Sequence, residues 1–125
     1  HLGQEDLSAD MARHILGPHT IVGVSARTRE EAQLAERQGA NYVGVGAMFP
    51  TATKADASCT ELSVLREIAA AISIPVLAIG GINADNAVRV LEGGAHGLCV
   101  ASAILTADSP RLAAKELRAL IIDRR

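Results

Sequence analysis

Gln38-Gly39-Ala40-Asn41-Tyr42-Val43 decides the fold. It closes a helix at a glycine and feeds straight into the strand-like run Tyr42-Val43-Gly44-Val45. Nearly the same joint returns as Gly93-Gly94-Ala95-His96-Gly97-Leu98. A helix–Gly-Ala–strand joint recurs in β/α barrels, where the glycine makes the left-handed helix stop. Outward from the two joints, strand and helix signals alternate. The strand candidates are Thr20–Val24, Asn41–Gly46, Pro75–Gly80 and Gly97–Ser102, short apolar runs rich in Val or Ile, as strands buried on both faces should be.

Helix signals fill the gaps. Thr28 opens one as N-cap of a capping box, with Glu31 three residues on, and this helix runs to Gln38. Leu62 to Ile72 repeats apolar residues at helical spacing and ends before Pro75. Asn83-Ala84-Asp85-Asn86 is expected to start another, which stops at Gly93-Gly94. Ser109 and Pro110 start the last, as N-cap and first helical residue. An earlier helix covers Ser8 to Leu16 and ends at Gly17-Pro18. About four βα units imply parallel strands with right-handed crossovers. A closed eight-stranded barrel takes roughly 200 residues or more. The 125 residues therefore read as one incomplete domain, residues 1–125, the C-terminal half of a TIM (β/α)8 barrel. His1, not Met, opens the chain inside a motif, so the chain is expected to begin within a longer protein.

Composition narrows the function. Hydrophobic residues make up 49% and aromatics 2%, so the core must be aliphatic. A net charge of −2 gives no reason to expect nucleic acid or an anionic membrane as partner. No apolar run reaches membrane-spanning length, and no signal peptide is expected. Cys59 and Cys99 fit neither a zinc site nor a disulfide framework, which suggests a reducing cytosol.

The chemistry collects at strand ends. Gly46-Ala47-Met48-Phe49-Pro50-Thr51-Ala52-Thr53-Lys54 follows a strand with two hydroxyls and one ammonium, where α/β folds place their ligands; taken alone it also reads as an ordinary polar loop, and two further phosphate-type turns downstream change the odds. Ile79-Gly80-Gly81-Ile82-Asn83 ends the next strand and opens a helix. Backbone N–H groups without a Cβ in the way can meet an anion there; a tight turn needing glycine for sterics alone is the other explanation. Val100-Ala101-Ser102-Ala103-Ile104 follows, and Ser102 offers a hydroxyl and a backbone N–H to the same anion; a helix-cap or turn serine is the other explanation. In phosphate-binding barrels the phosphate lies between the loops after the last two strands. Ser25 ends the first complete strand and should face the same rim; an N-cap-like turn serine explains it equally well. Gln4-Glu5-Asp6 ends a strand of which His1-Leu2-Gly3 is the stub. A carboxylate at such a rim suggests Mg²⁺, which takes one or two carboxylates plus substrate phosphate oxygens; charge at a helix N-terminus explains it too. The four histidines show no ligand spacing: His14 and His19 are expected at the surface and His96 on the opposite rim.

Taken together, His1-Leu2-Gly3-Gln4-Glu5-Asp6, Gly23-Val24-Ser25, Gly46 to Lys54, Ile79 to Ile82 and Ala101 to Ile104 resemble, motif by motif and in order, the thiamine-phosphate synthase family. The similarity covers essentially the whole chain and about the C-terminal half of a family member. The resemblance implies that Asp6 holds Mg²⁺. It implies that Ser25 and Lys54 grip the pyrophosphate of the aminopyrimidine substrate and act in catalysis. Thr51, Ala52 and Thr53 would line the thiazole-phosphate pocket, and Gly81, Ala101 and Ser102 would bind that phosphate. The implied reaction joins hydroxymethylpyrimidine diphosphate to a thiazole phosphate, giving thiamine phosphate and pyrophosphate by a dissociative route in the cytoplasm. Ala47 stands where the family usually has Pro. The family's Gln-x-Arg-x-Lys strand and Asn-Asp pair, which belong to the N-terminal half, are not in this chain. The segment alone is expected to be inactive unless it pairs with its N-terminal half or forms a homo-oligomer. Two competing readings are a thiazole tautomerase on the same fold, which would want other residues at Asp6 and Lys54, and a non-catalytic phosphate-binding half-barrel.

Overall fold

Among the described residues, short runs of Val, Ile, Leu and Gly build four strands, β1 (Gly23–Ser25), β2 (Tyr42–Val45), β3 (Val76–Ile79) and β4 (Gly97–Cys99). The structure, a computed structural model, describes residues 1–51 and 59–123. All neighbours pair in parallel, in the order β1-β2-β3-β4. Leu2 adds a parallel bridge to Val24 on the outer edge of β1, as expected of a strand stub. Among the described residues six helices alternate with the strands or follow them: α1 (Ala9–Leu16), α2 (Arg29–Arg37), α3 (Leu62–Ala71), α4 (Ala87–Glu92), α5 (Ser102–Leu105) and α6 (Pro110–Ile122). Among the described residues, no helix is long and apolar enough to cross a membrane.

Pleating sends alternate residues to opposite faces, and the two faces differ. Val24 pairs with Val43 and Val43 with Val76, so these share the helix-covered side. There they join Val45, Ala78, Ala32, Ala35, Leu65, Ile68, Ala87 and Val90 in one core. The largest fully buried side chains are all aliphatic, as the composition requires. On the concave side the register aligns Ser25, Gly44, Leu77 and Gly97 in one layer. Each strand glycine here lies beneath a larger neighbour. A β-carbon at Gly23 would stand 2.0 Å from Tyr42 Cζ, and one at Gly97 2.9 Å from Leu77 Cδ2. Alternating small and large inward residues is how a tapered barrel interior fills.

The helix-to-strand joints repeat in detail. Gly39 and Gly94 have φ of 85° and 100°, and the following Ala40 and Ala95 donate N–H bonds to Ala35 and Val90 carbonyls at 3.0 and 3.1 Å. Asn41 and His96 then do the same job. The Asn41 N–H donates to the Val22 carbonyl at 2.7 Å, and the His96 N–H to the Val76 carbonyl at 2.8 Å. Asn41 Oδ1 accepts from the Val22 N–H at 2.8 Å, and His96 Nδ1 from the Val76 N–H at 3.2 Å. His96 is thus a strand-start residue on the opposite rim, as expected, and His14 and His19 are exposed.

The caps follow the sequence closely. Thr28 Oγ1 accepts from the Glu31 N–H at 3.2 Å, while Glu31 Oε2 accepts from the Arg27 N–H at 2.7 Å. Ser109 caps α6 through the Leu112 N–H, with Pro110 in the first turn. Three expectations need correction. The run from Thr20 is not strand until Gly23: Thr20 donates its hydroxyl to the Leu16 carbonyl at 3.0 Å, and its own carbonyl accepts from Arg13. The helix expected from Asn83 begins at Ala87. Asn83 Oδ1 accepts from the Asp85 and Asn86 N–H groups at 3.0 and 3.2 Å, a local turn that competes with helix. The last strand stops at Cys99, and Ser102 opens the one-turn α5, where Thr106 donates both N–H and hydroxyl to the Ser102 carbonyl.

Candidate functional site

Parallel pairing puts every strand's C-terminal end on one rim. Ser25 ends β1, the Gly46–Thr51 loop leaves β2, Gly80-Gly81 leaves β3, and Val100-Ala101-Ser102 leaves β4. The structure therefore brings together Ser25, Thr51, Gly81, Ala101 and Ser102 at one edge of the sheet. Ala52, Thr53 and Lys54 lie outside the described residues.

The loops after β2 and β3 are stitched to each other. Met48 and Phe49 donate their N–H groups to the Ile79 and Gly80 carbonyls at 2.9 and 3.1 Å. The peptide joining Gly46 and Ala47 is cis. A β-carbon at Gly80 would stand 2.7 Å from Ala47 Cα, and one at Gly81 2.7 Å from the Phe49 and Pro50 carbonyl oxygens. Gly80-Gly81 is glycine because the neighbouring loop's backbone packs there, which is the steric explanation. Asn86 holds this turn, donating Nδ2–H to the Gly81 carbonyl and accepting from the Asn83 N–H, both at 2.9 Å. Arg89 of α4 stacks its guanidinium 5.6 Å from the Phe49 ring centroid, tying α4 to the same loop. Ser102 is exposed in the first turn of α5, with Ala101 as its cap.

Ser25 is the most firmly held of the expected residues. Its N–H donates to the Leu2 carbonyl at 2.9 Å, and its carbonyl accepts from Gln4 Nε2 at 2.6 Å. Its Oγ lies 2.9 Å from His1 Nε2, and His1 Nδ1 lies 3.0 Å from the Tyr42 hydroxyl. None of His1, Gln4, Tyr42, Asn86 and Arg89 is marked as a site residue by the sequence alone. One signal was available for Tyr42: a bulky polar-tipped ring two residues from Gly44, on the strand face otherwise given to small residues.

Asp6 is exposed, and its Oδ2 accepts from the Gly3 N–H at 2.6 Å. Among the described residues no group of three or more His, Cys, Asp or Glu side chains could hold a metal. One exposed carboxylate on this rim fits a magnesium ion that completes its shell with water and substrate phosphate oxygens. Cys99 lies on the concave face of β4, and burial pushes its thiol pKa up, so it remains protonated and a poor nucleophile.

The profile of a family described as thiamine monophosphate synthase matches residues 1–104. The chain belongs to that family. A thiamine-phosphate synthase of Moorella thermoacetica is 51% identical over 122 residues, 97% of this chain and 58% of the relative. A second, from Clostridium tetani, is 47% identical over 117 residues, covering 94% of this chain and 56% of the relative. Among solved structures, a thiamine phosphate pyrophosphorylase from Pyrococcus furiosus superposes with a TM-score of 0.87 at 44% identity. That match covers 98% of this chain and 58% of the other. The chain thus spans somewhat over half the length of these thiamine monophosphate synthase relatives, and its four parallel strands are an α/β arrangement of their TIM-barrel type.

Proposed function

We infer that the protein built on this chain is a thiamine-phosphate synthase. It condenses 4-amino-2-methyl-5-hydroxymethylpyrimidine diphosphate with 4-methyl-5-hydroxyethylthiazole phosphate and releases pyrophosphate. The observation that supports this best is the common rim of Ser25, the Gly46–Thr51 loop, Gly81 and Ser102. Two anionic substrates need two adjacent oxyanion sites, and neighbouring strand ends supply them. On this reading Ser25 and Lys54 bind the diphosphate, while Thr51, Ala52, Thr53, Gly81, Ala101 and Ser102 hold the thiazole phosphate. None of these residues forms a covalent bond to the substrate. The C–O bond to the diphosphate breaks first, the electron pair leaving with pyrophosphate. The thiazole nitrogen then attacks the pyrimidine methylene cation. Lys54 and the Ser25 hydroxyl stabilise the charge growing on the leaving group, which is preorganised electrostatic catalysis. A magnesium ion on Asp6 and the phosphate oxygens would add positive charge to the same group.

The partner this reading requires is the remainder of a barrel. Leu2 already begins a further parallel strand beside β1. Leu7 just before α1, and Met11 and Ile15 on it, are spaced four residues apart and 49%, 54% and 70% exposed, an uncovered apolar stripe. With the remaining β/α units supplied in the same polypeptide, the two substrates and Mg²⁺ should release pyrophosphate; the 125-residue chain alone should not turn over. Lys54→Ala should lower turnover about 100-fold or more, the scale of losing one preorganised charge contact, with little change in thiazole-phosphate affinity. Equal losses in both would remove the leaving-group role. Rearrangement of the thiazole with no pyrophosphate released would point to a tautomerase instead.

A further inference from the structure

We propose that His1 and Tyr42 are positioning residues that orient the Ser25 hydroxyl hydrogen toward a bound diphosphate oxygen. The proposal rests on the reading of Ser25 as a diphosphate ligand, and it adds how that serine is made a donor.

The Ser25 backbone is fixed on both sides, its N–H on the Leu2 carbonyl and its carbonyl on Gln4. What remains adjustable is the hydroxyl rotor. Its Oγ is 2.9 Å from His1 Nε2, and the other imidazole nitrogen is 3.0 Å from the Tyr42 hydroxyl. The two rings lie 5.5 Å apart at 33°. Glycines make room for both. A β-carbon at Gly44 would stand 3.2 Å from His1 Cε1, and one at Gly23 would overlap the Tyr42 ring.

A neutral imidazole has one N–H and one lone pair in its plane, so a His between two hydroxyls donates to one and accepts from the other. Two arrangements exist. In the first, Ser25 donates to Nε2 and Nδ1–H donates to Tyr42. The Ser25 hydrogen is then used up, and Oγ presents only lone pairs to an anion, which is repulsive. In the second, Tyr42 donates to Nδ1, and Nε2–H donates to Ser25 Oγ. The Ser25 hydrogen is then free to point at an oxyanion.

Acidity selects the second. A phenol, with pKa about 10, is a much stronger acid than an alkanol and so the better donor. The serine oxygen is the better acceptor. Tyr42 therefore sets the tautomer of His1, and His1 sets the polarity that Ser25 shows to its ligand. No other described residue hydrogen-bonds the His1 ring.

Long-range proton–nitrogen NMR on the ¹⁵N-labelled chain, above the titration range of histidine, tests the relay without any ligand. The expected spectrum has the proton on Nε2 and a bare Nδ1 that accepts a hydrogen bond. A proton on Nδ1 overturns the proposal. Tyr42→Phe keeps the ring over Gly23 and removes only the donor, so both tautomers should become populated. Inorganic pyrophosphate with Mg²⁺ supplies the second arm. Tyr42→Phe should weaken its binding about fivefold to tenfold, the scale of one ordinary hydrogen bond. That loss should vanish in a Ser25→Ala background. Equal losses in both backgrounds overturn the proposal. If pyrophosphate binding ignores Ser25→Ala, or the wild-type chain does not bind it, the diphosphate reading of Ser25 falls, and the tautomer alone decides the relay.

Discussion

Asn41 and Ser25 stand at opposite ends of neighbouring strands and are used in opposite ways. Asn41, where a helix feeds β2, has its side-chain oxygen taken by the Val22 N–H at 2.8 Å and by Arg13 at 2.6 Å. Arg13 goes on to the Gly39 carbonyl at 2.8 Å and the Gly17 carbonyl at 3.3 Å. Glu36 on the same rim accepts from the Ser73 N–H, the Ser73 hydroxyl and the Ile74 N–H. Here polar side chains serve the protein's own backbone. At the other rim, where the strands end, the fold is held by close backbone approach at Gly46, Gly80 and Gly81, and Ser102 stands exposed. The contrast teaches where to look for function in such a fold. Polar groups at the lower rim complete the structure. At the upper rim Gln4, Asp6 and Asn86 also bond backbone, but close glycine contacts carry much of the fixing there, and Ser102 stands exposed where a ligand can meet it.

The sharpest way to break this comparison is Gly46→Ala. Its β-carbon would stand 2.0 Å from the Ile79 carbonyl oxygen and 2.8 Å from Ile79 Cγ2. Backbone on both sides must move, so the loss should reach about 3 kcal/mol, the upper end for overpacking. The urea midpoint measures it, and an unchanged midpoint would mean that close approach does not hold the upper rim. Next comes Asn41→Ala, which leaves the Val22 N–H and Arg13 short of an acceptor and should cost about 2 kcal/mol. Ser25→Ala, the upper-rim control, removes only the Oγ contact to His1 and should cost about 1 kcal/mol, the scale of one net hydrogen bond. Similar losses for the two would erase the distinction between the rims.

The smallest effect is confined to acid. Hydrogen bonds from the Ser73 hydroxyl and N–H, and then Ile74, hold the Glu36 carboxyl below its ordinary value of 4.5. A group lowered in the folded state contributes fully above its unfolded pKa and loses that contribution as pH falls through the folded value. Wild type should therefore lose stability on acidification below about pH 4.5 more steeply than Glu36→Gln. Urea midpoints measured along a pH series check this. Parallel curves would show that the Glu36 contacts to Ser73 and Ile74 do not stabilise the fold.

Much of the fold was legible because its signals are local. Thr28 with Glu31, Ser109 with Pro110, and the two Gly-Ala joints each act within a few residues, and all appear where the chain announces them. Expectations failed where local polar groups competed. Asn83 and Asn86 close a turn instead of starting a helix, and Ser102 opens a one-turn helix beyond a shortened strand. The site was legible as motifs but not as a mechanism. Gly81 was open to both an anion-binding and a steric explanation; the Phe49 and Pro50 carbonyls account for its missing side chain, and they leave phosphate binding by its backbone as part of the proposed function.

By itself, the order of residues determined the alternation of elements, the aliphatic core, the family and the strand ends that carry hydroxyls. Periodicity, caps and glycine stops are properties of neighbours in the chain. The tertiary structure alone decided that Tyr42, 41 residues from His1, reaches its ring, and that His1 in turn reaches Ser25. Such contacts depend on strand register. Register places residues from distant segments in one layer of the sheet, where a hydrogen bond a few ångströms long can set the direction of a hydroxyl.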